Sequence, residues 1–461
     1  MVARSSVPQA VERPIPEATE QDPTIWWRAA VDLAAATLGT LPGSRHRDLA
    51  GIAISGHYPT LLLADRDGHA LAPAMLYGDR RADAFVDEAA ALGGEALAGD
   101  EWLPKLLYLR REAPELLDRT ARLFNPHDHV AFRLTGELGL DHRSARRSGG
   151  LFDPVACAWR ADVAAAVGLR PAALPPIRRA GELLGSVTAT AAAESCLPAG
   201  TPVVVGLGDT PAEIIGAGVA RPGDVLLYYG TTSTCDACTH DVEAYLHDPS
   251  AIADWAPYHE VAYAVLGPAL PWVAGGLLPD AVPQDLASLD AAAAAIRPSI
   301  RDPYVLPFFL AHARAGTAIR RPAFIGLDVG HSRADLHRAV LESFGLAARA
   351  GLDAAGIERD AARFVATGGG ARSSAWRQIV SDAVGVRQDW LPSSDAALGS
   401  AALAAWATVG APSIGDSWGR RPATPPTVQH PASRQVMTDR YETWLRLRGS
   451  LLEALNPGTA R

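Results

Sequence analysis

The chain has 461 residues, 48% of them hydrophobic, which is enough apolar material for two domains with separate cores. Its formal net charge of −9 is not the strongly basic balance typical of proteins whose main partner is nucleic acid, so we expect no nucleic-acid partner. Four cysteines are too few for a disulfide framework, and the isolated pair Cys235 and Cys238 is interpreted as two ordinary thiols. A zinc site would need a second ligand pair nearby.

Lys105 is the only lysine in the chain, and it lies in Leu-Pro-Lys-Leu with no glycine loop before it. Nucleotide hydrolases with a Gly-Lys-Ser/Thr phosphate loop are therefore excluded. The first nine residues lack the pattern of a signal peptide, and the longest apolar stretch, residues 396–411, is too short to span a bilayer. We expect a cytoplasmic protein that does not insert into membranes.

Apolar runs that read as strands alternate with alanine- and leucine-rich runs that read as helices, so the fold class is α/β. Pro222 and Gly223 interrupt the chain before a new strand, and this favours two lobes, residues 1–220 and 221–461, closing on a cleft. The predicted strands are residues 51–55, 60–65, 201–207, 224–229 and 363–366. The predicted helices are residues 23–38, 82–97, 333–350 and 375–384.

The first motif that indicates chemistry places Asp209 after a strand that ends in Gly206-Leu-Gly208. An aspartate at a helix entry is often the residue that caps the helix. The same carboxylate can instead act as a general base, because phosphoryl transfer to an alcohol needs a group that takes the hydroxyl proton. The motif alone leaves both interpretations open.

Two further motifs have glycines where a strand ends. Gly230, Thr231 and Thr232 can surround a phosphate with backbone N–H and hydroxyl groups, although threonine-rich strands are common in any sheet. Gly368 to Gly370 precede a helix near Ser374, and three consecutive glycines are more than a tight turn requires. They leave no side chains to obstruct a ligand, and the helix N-terminus favours an anion.

In order and spacing these motifs resemble the FGGY carbohydrate kinases, in particular xylulokinase-like members. Further matching segments are residues 20–23, 26–27, 54–56, 77–82, 105–107, 134–137, 150–153, 324–327 and 395–402. The resemblance implies a two-lobed, actin-like ATPase (ribonuclease H-like) fold with a central cleft. It also implies that ATP and Mg²⁺ are used to phosphorylate a hydroxyl of a small sugar, polyol or sugar acid.

The resemblance assigns roles to individual residues. Asp209 matches the general base and is also the residue expected to face Mg²⁺. Phosphate and nucleotide binding are implied for Gly230, Thr231, Thr232, Gly369, Gly370 and Ser374. The sugar pocket is implied to include His57 and Asp79. A lone histidine at a strand end is more often structural, and an aspartate before two arginines could equally form a surface ion pair.

The chain also departs from the family pattern. The family's first phosphate-binding loop is not found, and residues 2–8 resemble the strand that follows it, so we expect a misassigned start or a decayed gene. Pro59 stands where xylulokinase-like sequences have a histidine, and His312-Ala313-Arg314 replaces a Gly-Glu-Arg element. The sequence therefore leaves the identity of the acceptor sugar open, and a homodimer is the candidate oligomeric state. The alternatives are an impaired homologue that only binds sugar or nucleotide, a truncated remnant, and an actin-like filament protein.

Overall fold

The fold is taken from a computed structural model of the chain. The residues that it describes are 3–94, 98–249, 257–267, 269–276, 285–307, 322–392, 394–410, 413–414, 427–428, 430 and 433–455. The segment His312-Ala313-Arg314 lies outside these residues. Among the described residues, no helix is long and apolar enough to cross a membrane.

The first half contains many short strands and nine helices within its described residues. The strands are β1 (Glu20–Gln21), β2 (Ser55–Gly56), β3 (Leu62–Ala64), β4 (Ala74–Met75), β5 (Arg122–Phe124), β6 (Leu140–Asp141), β7 (Phe152–Asp153), β8 (Ala158–Trp159), β9 (Ile177–Arg178), β10 (Leu183–Ser186), β11 (Pro202–Val204) and β12 (Leu207–Gly208). The helices are α1 (Thr24–Leu38), α2 (Val86–Gly93), α3 (Trp102–Glu112), α4 (Pro114–Arg119), α5 (Pro126–Thr135), α6 (His142–Arg146), α7 (Ala161–Ala166), α8 (Ala189–Ser195) and α9 (Asp209–Gly216).

The second half is built around longer strands. These are β13 (Asp224–Tyr228), β14 (Thr232–Cys238), β15 (Tyr258–Val265), β16 (Tyr304–Leu306), β17 (Ala323–Ile325), β18 (Arg363–Thr367) and β19 (Gln388–Trp390). The helices are α10 (Val242–His247), α11 (Ala269–Pro271), α12 (Leu286–Ala295), α13 (Arg333–Ala354), α14 (Ser374–Val384), α15 (Ala396–Val409) and α16 (Arg434–Leu455).

A five-stranded sheet with the order β15-β14-β13-β18-β19 forms the centre of the second half. Its strands β13, β18 and β19 run parallel, and β14 and β15 are antiparallel to their neighbours. Alanine, valine and leucine side chains from β13 and β18 pack against α13 and α14 in one buried cluster. Because the carboxyl ends of β13 and β18 lie side by side, the loops that follow them meet at one edge of the sheet.

The C-terminal helix α16 is held by a buried charge. The Arg440 guanidinium is 1% exposed and pairs with Glu342 on α13 at 2.6 Å. It also donates to the carbonyl oxygens of Ser299, Asp302 and Pro303. A buried charge is tolerated only when its hydrogen-bonding groups are satisfied, and here the pairing fixes α16 against α13.

Several predicted elements differ in detail. The expected strand at 201–207 divides into two strands with different partners, because β11 pairs with β10 and β12 pairs with β2. Of the helix expected at 82–97, the described residues 82–94 form a 3₁₀ turn followed by α2, which ends at a left-handed Gly94. Residues 2–8 were expected to resemble a strand, and the described ones among them, 3–8, form neither helix nor strand.

The predicted boundary falls between α9 and β13. Here the Asp224 carboxylate accepts hydrogen bonds from the backbone N–H groups of Ala220 and Arg221, which closes a tight turn. The division into residues 1–220 and 221–461 stays a prediction.

Candidate active site

Asp209 and His57 follow two neighbouring parallel strands. Strand β2 pairs with β12 through Ser55 opposite Leu207 and Gly56 opposite Gly208. Because parallel strands end at the same edge of a sheet, the chain after β2 and the chain after β12 come out side by side. His57 is the first residue after β2, and Asp209 is the first residue after β12 and the first of α9.

The surroundings of Asp209 suit a proton acceptor. Gly208 occupies the helix cap and Asp209 the first helical position, so Asp209 is not the N-cap residue. Its Oδ1 accepts the Thr210 N–H at 2.8 Å. Burial raises the pKa of Asp209 to about 6, and the hydrogen bond from Thr210 and the nearby His127 oppose this rise. A base whose pKa lies near the working pH is well matched to taking a hydroxyl proton.

Groups from both halves of the chain lie close to Asp209. On the next turn of α9, burial raises the pKa of Glu213 to about 8, with further contributions from Asp209, Asp395 and Asp236. Burial raises the pKa of Tyr228 to about 12, and the charges of Glu213 and Asp209 add to the effect. Tyr228, Asp236 and Asp395 belong to the second half, so the start of α9 with Asp209 and Glu213 lies close to groups from that half.

His57 is enclosed by first-half side chains. Its Nδ1 lies 2.7 Å from Thr60 Oγ1, and its Nε2 lies 3.2 Å from Gln21 Oε1. Gln21 Oε1 also accepts the Trp26 indole N–H at 2.8 Å. Burial lowers the pKa of His57 to about 4, so the imidazole is neutral near pH 7. Both ring nitrogens therefore have protein partners, and the substrate role of His57 stays a prediction.

Asp79 forms a buried ion pair, not the surface pair that the sequence left open. Its side chain is fully buried and pairs with Arg81 at 2.6 Å. The Thr19 N–H donates to Oδ2 at 3.0 Å, and the Arg81 N–H donates to Oδ1 at 3.1 Å. Arg81 also pairs with Glu20 at 2.5 Å. These contacts fix the segment after β4, and a direct contact between Asp79 and a sugar stays a prediction.

The two glycine motifs come together at the edge of the central sheet. Tyr228 pairs with Thr367 across β13 and β18. The Tyr229 carbonyl then accepts the Gly370 N–H at 2.8 Å. Gly368 has a φ of +93°, and a Cβ there would lie 2.6 Å from that same carbonyl oxygen. The strand-end turn at Gly230–Thr232 and the loop of Gly368–Gly370 therefore form one continuous rim.

Space is open above this rim at Gly369, where an added Cβ would meet nothing within 4 Å. Ser374 is exposed at the start of α14, while the neighbouring Ser373 caps that helix by accepting the Trp376 N–H at 3.1 Å. On the other side of the rim, the Thr231 carbonyl accepts the Gly267 N–H at 2.9 Å. Gly369 and Ser374 therefore lie at the open part of the rim, and nucleotide binding by the predicted residues stays a prediction.

Cysteines and metal ligands were the remaining predictions. Cys235 and Cys238 are both buried on β14, and burial raises the pKa of each thiol, as expected of unreactive thiols. Among the described residues, the histidine and acidic side chains that lie together closely enough to hold a metal ion are Asp65, Asp67 and His69, on an exposed turn. Magnesium at Asp209 stays a prediction.

Comparison with known proteins identifies the family. Residues 1–216 match the N-terminal domain of the FGGY family of carbohydrate kinases, and residues 229–408 match its C-terminal domain. The chain belongs to this family of phosphotransferases, and the predicted two-lobed, actin-like ATPase fold is confirmed. Enzymes of this family act on small sugars or polyols and use ATP, typically with Mg²⁺.

Several of the similar proteins are xylulose kinases. The chain is 30% identical to xylulose kinase of Escherichia coli over 423 residues, 88% of this chain and 85% of that protein. The crystal structure of xylulose kinase from Rhodospirillum rubrum has a TM-score of 0.80 and 28% identity, covering 98% of this chain and 94% of that one. An autoinducer-2 kinase of Klebsiella pneumoniae is 32% identical over 229 residues, 47% of this chain and 42% of that protein.

Sequence reasoning missed several residues near Asp209. Glu213 lies four positions after Asp209 on the same helix, and that spacing was the available signal. Tyr58 and His127 carried no signal. A Cβ at Gly208 would overlap the Tyr58 ring, so Tyr58 packs directly beneath the start of α9, and only the folded chain brings them together.

Proposed function

We propose that this protein transfers the γ-phosphoryl group of ATP to a hydroxyl of a small neutral or acidic sugar or a polyol, with Asp209 as the general base. The observation that carries the proposal is the position of Asp209. It follows β12 at the boundary of the two halves, and its raised pKa leaves it able to take a proton near neutral pH.

The residues present fit a nucleotide. The rim of Gly230–Thr232 and Gly368–Gly370 offers backbone groups and the open space above Gly369. Bound MgATP would supply the phosphoryl group and neutralise charge on its oxygens. Gly230, Thr231 and Thr232 would hold phosphate oxygens, and Gly369, Gly370 and Ser374 would lie along the nucleoside. Asp209 would orient the acceptor hydroxyl and hold its proton, and it would face the metal ion.

On the acceptor side, His57 and Gln21 form one hydrogen-bonded unit close to Tyr77. The His57 and Tyr77 rings lie 6.1 Å apart, and Tyr77 is 52% exposed. A neutral imidazole and a phenol suit hydroxyl groups better than they suit a charged group. Because xylulose kinases are among the similar proteins, xylulose is the first acceptor to test, and autoinducer-2 is the second.

The test is ADP release with MgATP and a panel of ketoses, aldoses, polyols and sugar acids. We expect saturable release that depends on one acceptor. Asp209→Asn should lower kcat by about 10²–10⁴-fold while acceptor binding persists, because the amide cannot accept the proton. Asp48→Asn is the matched control, since that carboxylate is 61% exposed and pairs only with Arg45 among the described contacts.

Two results would contradict the proposal. An Asp209→Asn variant with full turnover would show that another group acts as the base. Binding of nucleotide and sugar without ADP release by the folded wild-type protein would favour the binding-only alternative.

A further inference from the structure

The single lysine of the chain is buried in the first half. Lys105 lies on α3 with 0% of its surface exposed. Its Nζ donates to three carbonyl oxygens, those of Pro59 at 3.1 Å, Met75 at 3.2 Å and Leu76 at 2.9 Å. An ammonium group has three protons, so these three acceptors satisfy it completely. An unpaired charge in this position would be strongly destabilising, and the converging carbonyls are what make it tolerable.

The three carbonyls belong to two separate segments of the acceptor side. Pro59 lies two residues after His57, in the loop that follows β2. Met75 is the last residue of β4, and Leu76 lies between it and Tyr77. The Lys105 ammonium therefore bridges the segment that carries His57 and the segment that carries Tyr77.

A second side chain of α3 strengthens the bridge. Trp102, three positions before Lys105 and on the same helix face, donates its indole N–H to the Thr60 carbonyl at 2.8 Å. Thr60 in turn contacts His57 Nδ1 at 2.7 Å. The helix thus holds the loop after β2 by two consecutive carbonyls, those of Pro59 and Thr60.

A buried ammonium is a poor way to gain stability alone, because apolar side chains of similar size pack at lower cost. The ammonium group instead fixes the positions of the two segments, since three backbone carbonyl groups must point at its nitrogen atom. Burial lowers the pKa of Lys105 to about 8, with Asp100 and Asp79 opposing the shift. The ammonium form is still the one that the three carbonyls select at neutral pH.

We propose that Lys105 is a positioning residue for the acceptor: it fixes the separation of the His57 and Tyr77 segments, and this separation sets the shape of the sugar pocket. This inference rests on the proposed function, because it takes the His57 side of the site as the acceptor pocket.

The kinetic test compares Lys105→Met with Arg111→Met, which removes an exposed cation from the same helix. We expect Lys105→Met to raise the acceptor KM by about 10- to 100-fold, the scale of a displacement near 1 Å at a reacting pair. The KM for ATP should change by less than about 3-fold, because the glycine rim belongs to the other half. Equal changes in both KM values, or none, would overturn the proposal.

A measurement on the wild-type chain avoids variants that fail to fold. Because the chain has one lysine, protein labelled with ¹³C at the lysine ε carbon gives one lysine signal. Adding xylulose, or the panel acceptor with the highest kcat/KM, should shift this signal. A sugar that the enzyme does not phosphorylate should leave it in place.

The two experiments separate two kinds of failure. If the wild-type protein phosphorylates the acceptor but the lysine signal does not move, Lys105 is only structural and the kinase function stands. If no acceptor gives ADP, the proposed function fails, and the positioning role fails with it.

Discussion

At the residue scale, the environment of Asp209 decides its chemistry. The pKa of an aspartate side chain in water lies well below neutral pH, so its carboxylate is a weak base. Burial against Tyr58 and the first turn of α9 raises the pKa of Asp209 to about 6, while the Thr210 N–H limits the rise. The same carboxylate on an exposed turn would keep its ordinary pKa.

This shift predicts a pH profile. Below about pH 6, Asp209 is protonated and cannot take the hydroxyl proton, so kcat/KM for the acceptor should fall about tenfold per pH unit. Burial raises the pKa of Glu213 to about 8, so that group titrates on the other side of neutrality and cannot produce this acid limb. The measurement is kcat/KM from pH 4.5 to 9, and a limb near pH 4 would show that Asp209 is not held in a desolvated site.

The raised pKa of Asp209 also predicts the direction in which Asp209→Asn changes the melting temperature at each pH. A carboxyl group whose pKa is raised by folding binds its proton more tightly in the folded state, so it favours the fold at low pH and opposes it at neutral pH. The variant should therefore melt at the same or a higher temperature at pH 7.5. Relative to wild type it should lose this advantage as the pH falls through 6 towards 4. A lower melting temperature at pH 7.5 would mean that the carboxylate is stabilised by contacts in the fold.

At the scale of elements, the glycines after β18 have different functions. Gly368 adopts a left-handed conformation and lies close to the Tyr229 carbonyl. A Cβ at Gly370 would overlap the Trp376 ring, so this glycine is needed for packing. Gly369 has an ordinary φ of −63° and open space around it. Of these three glycines, Gly369 is the one that neither the backbone conformation nor the packing requires.

Alanine substitutions separate these cases. Gly369→Ala should keep the melting temperature and raise the KM for ATP about tenfold, within the ~1–3 kcal/mol that an inserted methyl group costs in a filled site. Gly370→Ala is the matched comparison and should lower the free energy of unfolding by about 1–3 kcal/mol. Melting curves and ATP saturation curves of both variants decide the matter. An unchanged KM for ATP in Gly369→Ala would place the nucleotide elsewhere.

At the scale of the whole molecule, two helices join the halves. Helix α9 carries Asp209 and Glu213, and α15 follows the Asp395 cap in the second half. A Cβ at Gly399 would overlap the Ala212 carbonyl, and one at Gly216 would overlap that of Asp395. The backbones of the two helices are therefore in direct contact, and a shift of α15 is passed to α9.

A side chain at this contact should affect both stability and turnover. Gly399→Ala must push α15 away from α9, which we expect to cost about 1–3 kcal/mol of unfolding free energy and to lower kcat by moving Asp209. Gly449→Ala on α16 is the control, and its effect on the unfolding free energy should have the opposite sign. An added Cβ there meets nothing, so the substitution should stabilise by about 0.4–1 kcal/mol. Urea unfolding and measurement of kcat test both variants. If Gly399→Ala changed neither the unfolding free energy nor kcat, α15 and α9 would be able to separate without cost.

The sequence determined the class of the protein. Three strand-end motifs in a fixed order resembled the FGGY carbohydrate kinases, and the domain matches confirmed the family. Long periodic helices such as α13 and α14 were predicted to within a few residues, because local periodicity is written in the sequence. The glycine rim could also be anticipated, since glycines at strand ends indicate a backbone conformation or close approach that a side chain would prevent.

Only the tertiary structure decided what surrounds these motifs. The lowered pKa of His57, the raised pKa of Glu213 and the buried bridge from Lys105 all depend on residues distant in sequence. The division of the expected strand at 201–207 depends on its two pairing partners, β10 and β2, which are distant in sequence. Burial and long-range pairing are properties of the folded chain, and no local pattern encodes them.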